Sequence, residues 1–250
     1  MMLKIFIYFS GMLVHMIFAS SIPTSANVHH IRQLLPTTTP RAVINQDDFR
    51  SEYVVTLVNS HTNAITTAHG QNEGSPTAIH DDEGILEANS TAIIAVPTGW
   101  AGRVAIAEAE VPIRDRASLL EGSFLVQGGV DALIALDVSY VDGFTVPIVC
   151  ACGDETVLGC NLNLLETCPD EYRVDAGTCM NPLRDGGDPT YNIFGECASI
   201  AYTFPKDDKA TTMGIVGCEK SILCCVGTAC APHPRQNSCA IANGMAQPCR

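Results

Sequence analysis

All 12 cysteines of the 250-residue chain stand at or after Cys150, so the chain falls into two parts held by different means. Everything before Cys150 must fold by burying apolar surface. The rest, rich in Gly, Pro and Asn, can rely on crosslinks, each contributing about 2 to 4 kcal/mol where a loop buries little. An even number of cysteines behind a secretion signal favours disulfides over zinc. The spacings agree: Cys150-x-Cys152 and the adjacent Cys224-Cys225 are poor zinc-finger spacings, and no His follows at ligand distance. No metal is therefore expected.

The secretion signal is in the first residues. Lys4 precedes the apolar run Ile5 to Ala19, and Ala19-Ser20-Ser21 offers small residues for cleavage, so residues 1–21 read as a signal peptide. The run is short for a membrane span and is followed by Pro23 and polar residues. No second long apolar run follows, and no membrane span is expected in the mature protein. Residues 22–50 read as a flexible leader whose His29 and His30 have no nearby acid or thiol to complete a metal site. Acids outnumber bases 27 to 14, a net charge of −13, which opposes nucleic acid or anionic membrane as a partner and suits a neutral or cationic ligand.

Between residues 51 and 149 short β-branched runs alternate with turn residues. Tyr53 to Val58 reads as a strand ended by Asn59-Ser60-His61, and Ala64 to Ala68 as a second. A polar loop, Glu73 to Gly84, has His69 and His80 near its edges. Two strands flank Pro97-Thr98-Gly99-Trp100-Ala101-Gly102, which holds the only Trp of the chain. Asn89-Ser90-Thr91 is a glycosylation sequon and places Asn89 at the surface. Glu121 stands in the strand led by Ser118. Ala132 to Cys152 reads as strand, turn and strand. In it Ile134, Leu136, Val138 and Tyr140 form one face, Asp137 lies on the other, and Asp142-Gly143 makes the turn. Pro147 argues for a bend or edge in the second of these strands.

DVSYVDGFTVPI (137–148) resembles the D-[VI]-S-x-V-D-G-F-x-[VLI]-P segment of thaumatin-like proteins, and VPTGWAGRV (96–104) resembles that family's V-P-x-G-W-x-G-R-[VI] segment. The similarity covers about residues 51–230 and leaves 231–250 as a Cys-containing tail. It implies a mainly β fold, an antiparallel β-sandwich with disulfide-rich C-terminal loops. It also implies a cleft lined by Arg103, Glu121, Asp137 and Asp142. Glu121 and Asp137 would face each other across adjacent strands, with Arg103 close by. The implied bridges are Cys168–Cys179, Cys160–Cys197, and Cys150 or Cys152 with Cys218; the pairing of Cys224, Cys225, Cys230, Cys239 and Cys249 is left open. Two departures stand out: no Cys follows Asn59, and Ser199 occupies the place of a cleft aspartate. Asp207 and Asp208 match a surface loop of the family.

No G-x-S-x-G, H-E-x-x-H, phosphate loop or dinucleotide fingerprint is present, and no cofactor is expected. Standing alone, the acids would be solvated surface. The resemblance implies instead a secreted protein, extracellular or in the cell wall, that binds β-1,3-glucan with little or no turnover and has a defence or antifungal role. The alternatives are a weak endo-β-1,3-glucanase, with Glu121 as acid and Asp137 as second carboxyl, and a defence protein with a protein target. Few aromatic residues adjoin the acids in sequence, and the oligomeric state is left open.

Overall fold

The computed structural model describes residues 53–127, 130–213, 218 and 220–236. The signal peptide, the leader, Ser51 and the tail beyond residue 236, with Cys239 and Cys249, lie outside the described residues.

The architecture is mainly β, and among the described residues short 3-10 turns are the only helical elements. One six-stranded sheet runs in the order β11 (Glu155–Cys160), β10 (Ile148–Cys152), β15 (Ser221–Val226), β1 (Tyr53–Asn59), β5 (Thr91–Val96) and β3 (His80–Asp81). The other runs β14 (Thr212–Met213), β8 (Val130–Ser139), β7 (Ser118–Gln127), β6 (Ala101–Glu108), β2 (Ile65–Gln71) and β4 (Gly84–Leu86). A small third sheet joins β12 (Arg173–Asp175), β13 (Thr178–Met180) and β9 (Gly143–Phe144). Pairing is antiparallel throughout except between β1 and β15, which run parallel. That exception follows from topology: the last strand returns between β1 and β10.

The two large sheets share one core. Tyr53 of the first stacks on Phe124 of the second with ring centroids 5.4 Å apart. Leu57, Ile65, Ile106, Val138 and Ile148 from both sheets are sealed from solvent. Alternation is obeyed in β8, where Ile134, Leu136 and Val138 are buried and Asp137 on the opposite face is half-exposed.

Two strands differ from the sequence reading. The second expected strand is Ile65–Gln71, longer than Ala64 to Ala68. The run Phe144 to Val149 is broken into β9 and β10 by Pro147, which has no N–H for a ladder; its carbonyl accepts from Gly227 N at 2.9 Å. At the preceding corner, Gly143 has φ +156°, and a side chain there would meet the carbonyl oxygens of Arg116 at 2.5 Å and Cys179 at 2.8 Å.

Five disulfides join the described cysteines: Cys150–Cys224, Cys152–Cys218, Cys160–Cys197, Cys168–Cys179 and Cys225–Cys230. Of the two cysteines considered for Cys218, it is Cys152 that bonds it, and Cys150 is held by its cross-strand neighbour Cys224. Among the described residues no helix is long and apolar enough to cross a membrane.

Candidate functional site

The register of the second sheet decides which side chains share its outer face. Asp137 of β8 pairs with Glu121 of β7, Glu121 pairs with Arg103 of β6, and Arg103 pairs with Gly70 of β2. These four positions form one row across four strands, about 14 Å long at the usual strand spacing. The row on one flank is Ala101, Ser123 and Ala135 and that on the other Ala105, Leu119 and Ser139, so the charged side chains are bordered mostly by small residues. Because side chains alternate, a shift of one residue in any strand would turn its member of the row into the core.

Asp142 comes from the corner after β8 and joins the acids through a partner that sequence reasoning missed. Arg184, in the crosslinked half, reaches Asp142 Oδ1 with Nε at 3.2 Å and Asp115 Oδ2 with Nη1 at 3.1 Å. Tyr202 is a second addition. It lies beside β8, where its N–H donates to Val138 O at 2.8 Å, and its hydroxyl feels the charge of Asp137. Its hydroxyl bonds Thr211 Oγ1 and Asp208. Nothing near Arg184 in the sequence marks it, whereas Tyr202 stands between Ser199 and Asp207, two positions that the resemblance already picks out.

Glu121, Asp137 and Asp142 are all half-buried: solvent reaches them, yet the surrounding protein still desolvates them. Burial pushes the Glu121 carboxyl up and Asp142 adds to the shift, while Arg103 and a hydrogen bond from Ser139 oppose it. Asp137 is pushed well above the usual carboxylate range, by burial first and then by the negative charge of Glu121, with no cation to offset them. Asp142 is raised by burial, against the pull of Arg184 and Arg103. Burial also pushes the Tyr202 hydroxyl up to about 12. Both carboxyls of the central pair are thus raised, and Arg103 offsets part of the rise at Glu121.

Other site residues fall elsewhere. Ser199, with φ +67°, donates its N–H to Asp207 Oδ2 at 3.1 Å, and Thr203 Oγ1 donates to the same oxygen at 3.1 Å. Asp207 is thus a buried turn-closing acid, 4% exposed, and not a surface-loop residue; Asp208 is exposed. Asn89 is exposed at the turn between β4 and β5 with φ +59°, a conformation Asn tolerates. Among the described residues no group of three or more His, Cys, Asp or Glu could hold a metal ion. Arg103 and Arg184 supply the counter-charge at the acid row.

No family model matches the chain. The pathogenesis-related 5 protein Jun a 3.0101 of Juniperus ashei is 30% identical over 129 residues, which covers 41% of this chain and 57% of that protein. The chain thus matches little more than half of that relative's length. The solved structure of the protein elicitor MoHrip2 from Magnaporthe oryzae matches 43% of this chain and 76% of its own at 13% identity and a TM-score of 0.31, too slight a likeness to carry an argument. The curated relative is a thaumatin-like protein, in keeping with the resemblance in segments 96–104 and 137–148.

Proposed function

We propose that this is a secreted defence-type protein of thaumatin-like character that holds a neutral wall polysaccharide, β-1,3-glucan, on the outer face of its second sheet with little or no turnover. The observation that carries the reading is the cross-strand row of Arg103, Glu121 and Asp137 among small residues. A long neutral polymer needs an open face, alternating donors and acceptors, and little bulk beside it. Arg103 only donates, while each carboxyl accepts when ionised and also donates when protonated. Tyr202, whose hydroxyl feels the charge of Asp137, adds a further polar group near the row. Five disulfides suit an oxidising, extracellular compartment. The domain is taken as 51–230, with Asn89 as its glycosylation site.

The weak glucanase is the second reading, favoured by the spacing of the pair. Directly opposed cross-strand residues have Cβ atoms about 4.5–5.5 Å apart, so two carboxyls stand close together on one face, as a glycosidase requires. Retention, however, requires an ionised nucleophile. Burial disfavours ionisation of both carboxyls here, so binding is favoured over turnover.

Sedimentation of the purified protein with insoluble β-1,3-glucan tests the proposal. The double variant Glu121→Gln, Asp137→Asn should stay folded and lose at least about tenfold in affinity, a change of about 1.4 kcal/mol. Unchanged affinity would return both carboxyls to ordinary solvated surface. Release of reducing ends would move the conclusion to the glucanase.

A further inference from the structure

The outer faces of the two large sheets are unlike. That of the second sheet bears the charged row. That of the first bears Val54 and Thr56 of β1, Ile93 and Ala95 of β5 and Leu223 of β15, since their strand neighbours Val55, Ile94 and Ile222 point into the core. Register places Val54 beside Ala95, and Thr56 between Ile93 and Leu223.

A sheet face turned to water is ordinarily polar. Here four of the five side chains are hidden: Ala95 is 0%, Val54 4%, Thr56 7% and Ile93 9% exposed. Neighbours within the sheet do not explain this, because Val54 stands between Ala95 and Ser221, both too small to screen it. Val54, Ile93 and Ala95 form a cluster apart from the main core, and among the described residues no further apolar side chain packs against it.

The patch has sharp limits. Thr91, Ser221 and Leu223 around it are exposed. Its cover is therefore about two strands wide, roughly 10 Å, the breadth of one extended segment or one large ring. A second copy of the chain would hide far more, since a stable interface takes about 800 Å² from each partner.

The occupant can be narrowed by where the chain leaves the described residues. The tail departs from Gln236, whose side chain accepts from Asn161 N at 3.1 Å and donates to Asn161 Oδ1 at 2.6 Å. Asn161 follows β11, four strand spacings from β5, or about 19 Å. Residues 214–217 precede Cys218, which Cys152 holds at β10. The residues ahead of β1, by contrast, arrive at the patch itself, because Val54 is the second residue of that strand. Phe49 is the only aromatic residue between 22 and 52, and Arg50-Ser51-Glu52 supplies three polar residues in which to turn. A phenylalanine ring buries about 150–250 Å², a fit for four adjoining side chains.

We propose that residues 49–52 fold back on β1 so that the ring of Phe49 covers Val54, Thr56, Ile93 and Ala95. The outer face of the first sheet is then a docking site for the chain's own leader. The domain taken above as 51–230 begins at least two residues earlier, and a leader trimmed to Ser51 would leave the patch bare. The inference does not rest on the glucan reading.

The test uses the full-length mature protein. Photoreactive p-benzoylphenylalanine in place of Phe49 should crosslink, on irradiation, to residues 54–56 or 93–95 of the same chain, as read by peptide mapping. Phe49→Asp should lower the urea midpoint by about 1 M, and Phe49→Leu by much less. A crosslink to the tail, to another part of the domain or to a second molecule would overturn the proposal. So would a Phe49→Asp midpoint equal to the parent's. Should Phe49→Asp fail to fold, the crosslink decides alone.

Discussion

The two halves of the molecule differ in what places a side chain. In the sheets, register does it: Asp137, Glu121, Arg103 and Gly70 share a row because four strands pair in one phase over a core whose members are nearly all below 5% exposed. In the stretch from 161 to 213 the strands have two or three residues, 3-10 turns separate them, and bridges and side-chain hydrogen bonds hold the chain. Asn181 shows the manner of it, donating from Nδ2 to Tyr140 O at 2.9 Å and Thr203 O at 2.8 Å. The candidate site is made where the halves meet, with its row from the sheet and Arg184 and Tyr202 from the crosslinked part. A sheet can set a flat row of charges. It takes a stapled loop to bring a cation and a hydroxyl to the row's open side.

The largest effect should come from the sheet half. Leu57 is fully buried in β1 and paired on both sides, to Ala92 and Cys224. Leu57→Ala should cost about 2–5 kcal/mol, read as a lower urea midpoint, because the cavity forms where neighbours cannot collapse. Both halves should unfold together, since β15 and its bridge to Cys150 hang on β1. A loss under about 1 kcal/mol would show a looser core than its burial implies.

A smaller and more local effect should follow in the crosslinked half. Replacing Cys168 and Cys179 together by Ser opens a bridge of sequence separation 11. By loop-closure entropy this costs about 3 kcal/mol or slightly less. Proteolysis between residues 161 and 183 should speed up, while amide exchange of strands β5 to β8 stays slow. Equal loss of protection in those strands would mean that the two halves are one cooperative unit and that the contrast drawn here is only geometric.

The same contrast explains what the sequence reveals. Alternation from Ile134 to Tyr140 is enough to put Asp137 on an outer face, because a strand has only two faces and the apolar set claims one. The opposition of Glu121 and Asp137 needs the register of β7 on β8, which came from family resemblance and not from periodicity. Pro147 was visible as a breaker, but whether it ends or bends a strand depends on Gly227, some 80 residues later in the chain. Arg184 was illegible for a stronger reason. Its partners Asp115 and Asp142 are far off in sequence, and its place depends on how a turn-rich segment is folded back by its bridges. Asp207 misled because a buried carboxylate in a turn looks, in sequence, like an exposed one.

The smallest expected effect bears on what the row costs the sheet. Asp137 is held well above the ordinary carboxylate range, by burial and then by Glu121. A group whose folded value is raised binds its proton more tightly in the native state than in the unfolded chain. Its favourable contribution is complete below the unfolded value, near 3.9, and is lost as pH rises through the folded value. Glu121 and Asp142 are raised too and act in the same sense, whereas Asp115, lowered by its hydrogen bond to Arg184, acts in the opposite one. The three raised carboxyls make stability fall as pH climbs from about 4 towards neutrality, while Asp188, lowered by its bonds with Thr190, and His233, lowered by burial, join Asp115 in opposing the fall. Asp137→Asn keeps the shape of the side chain and removes the charge. The variant should match the parent at pH 3, exceed it by about 1 kcal/mol at pH 8, and show a shallower fall between, a gain of the size often found when a functional site is relieved. Urea midpoints at pH 3, 5 and 8 would read this without the screening that guanidinium salt brings. A variant less stable than the parent at pH 8 would mean that an ionised Asp137 is stabilised by Arg103 across the row. The face would then be a satisfied ion network, and the case for a row poised to take up sugar hydroxyls would fall with it.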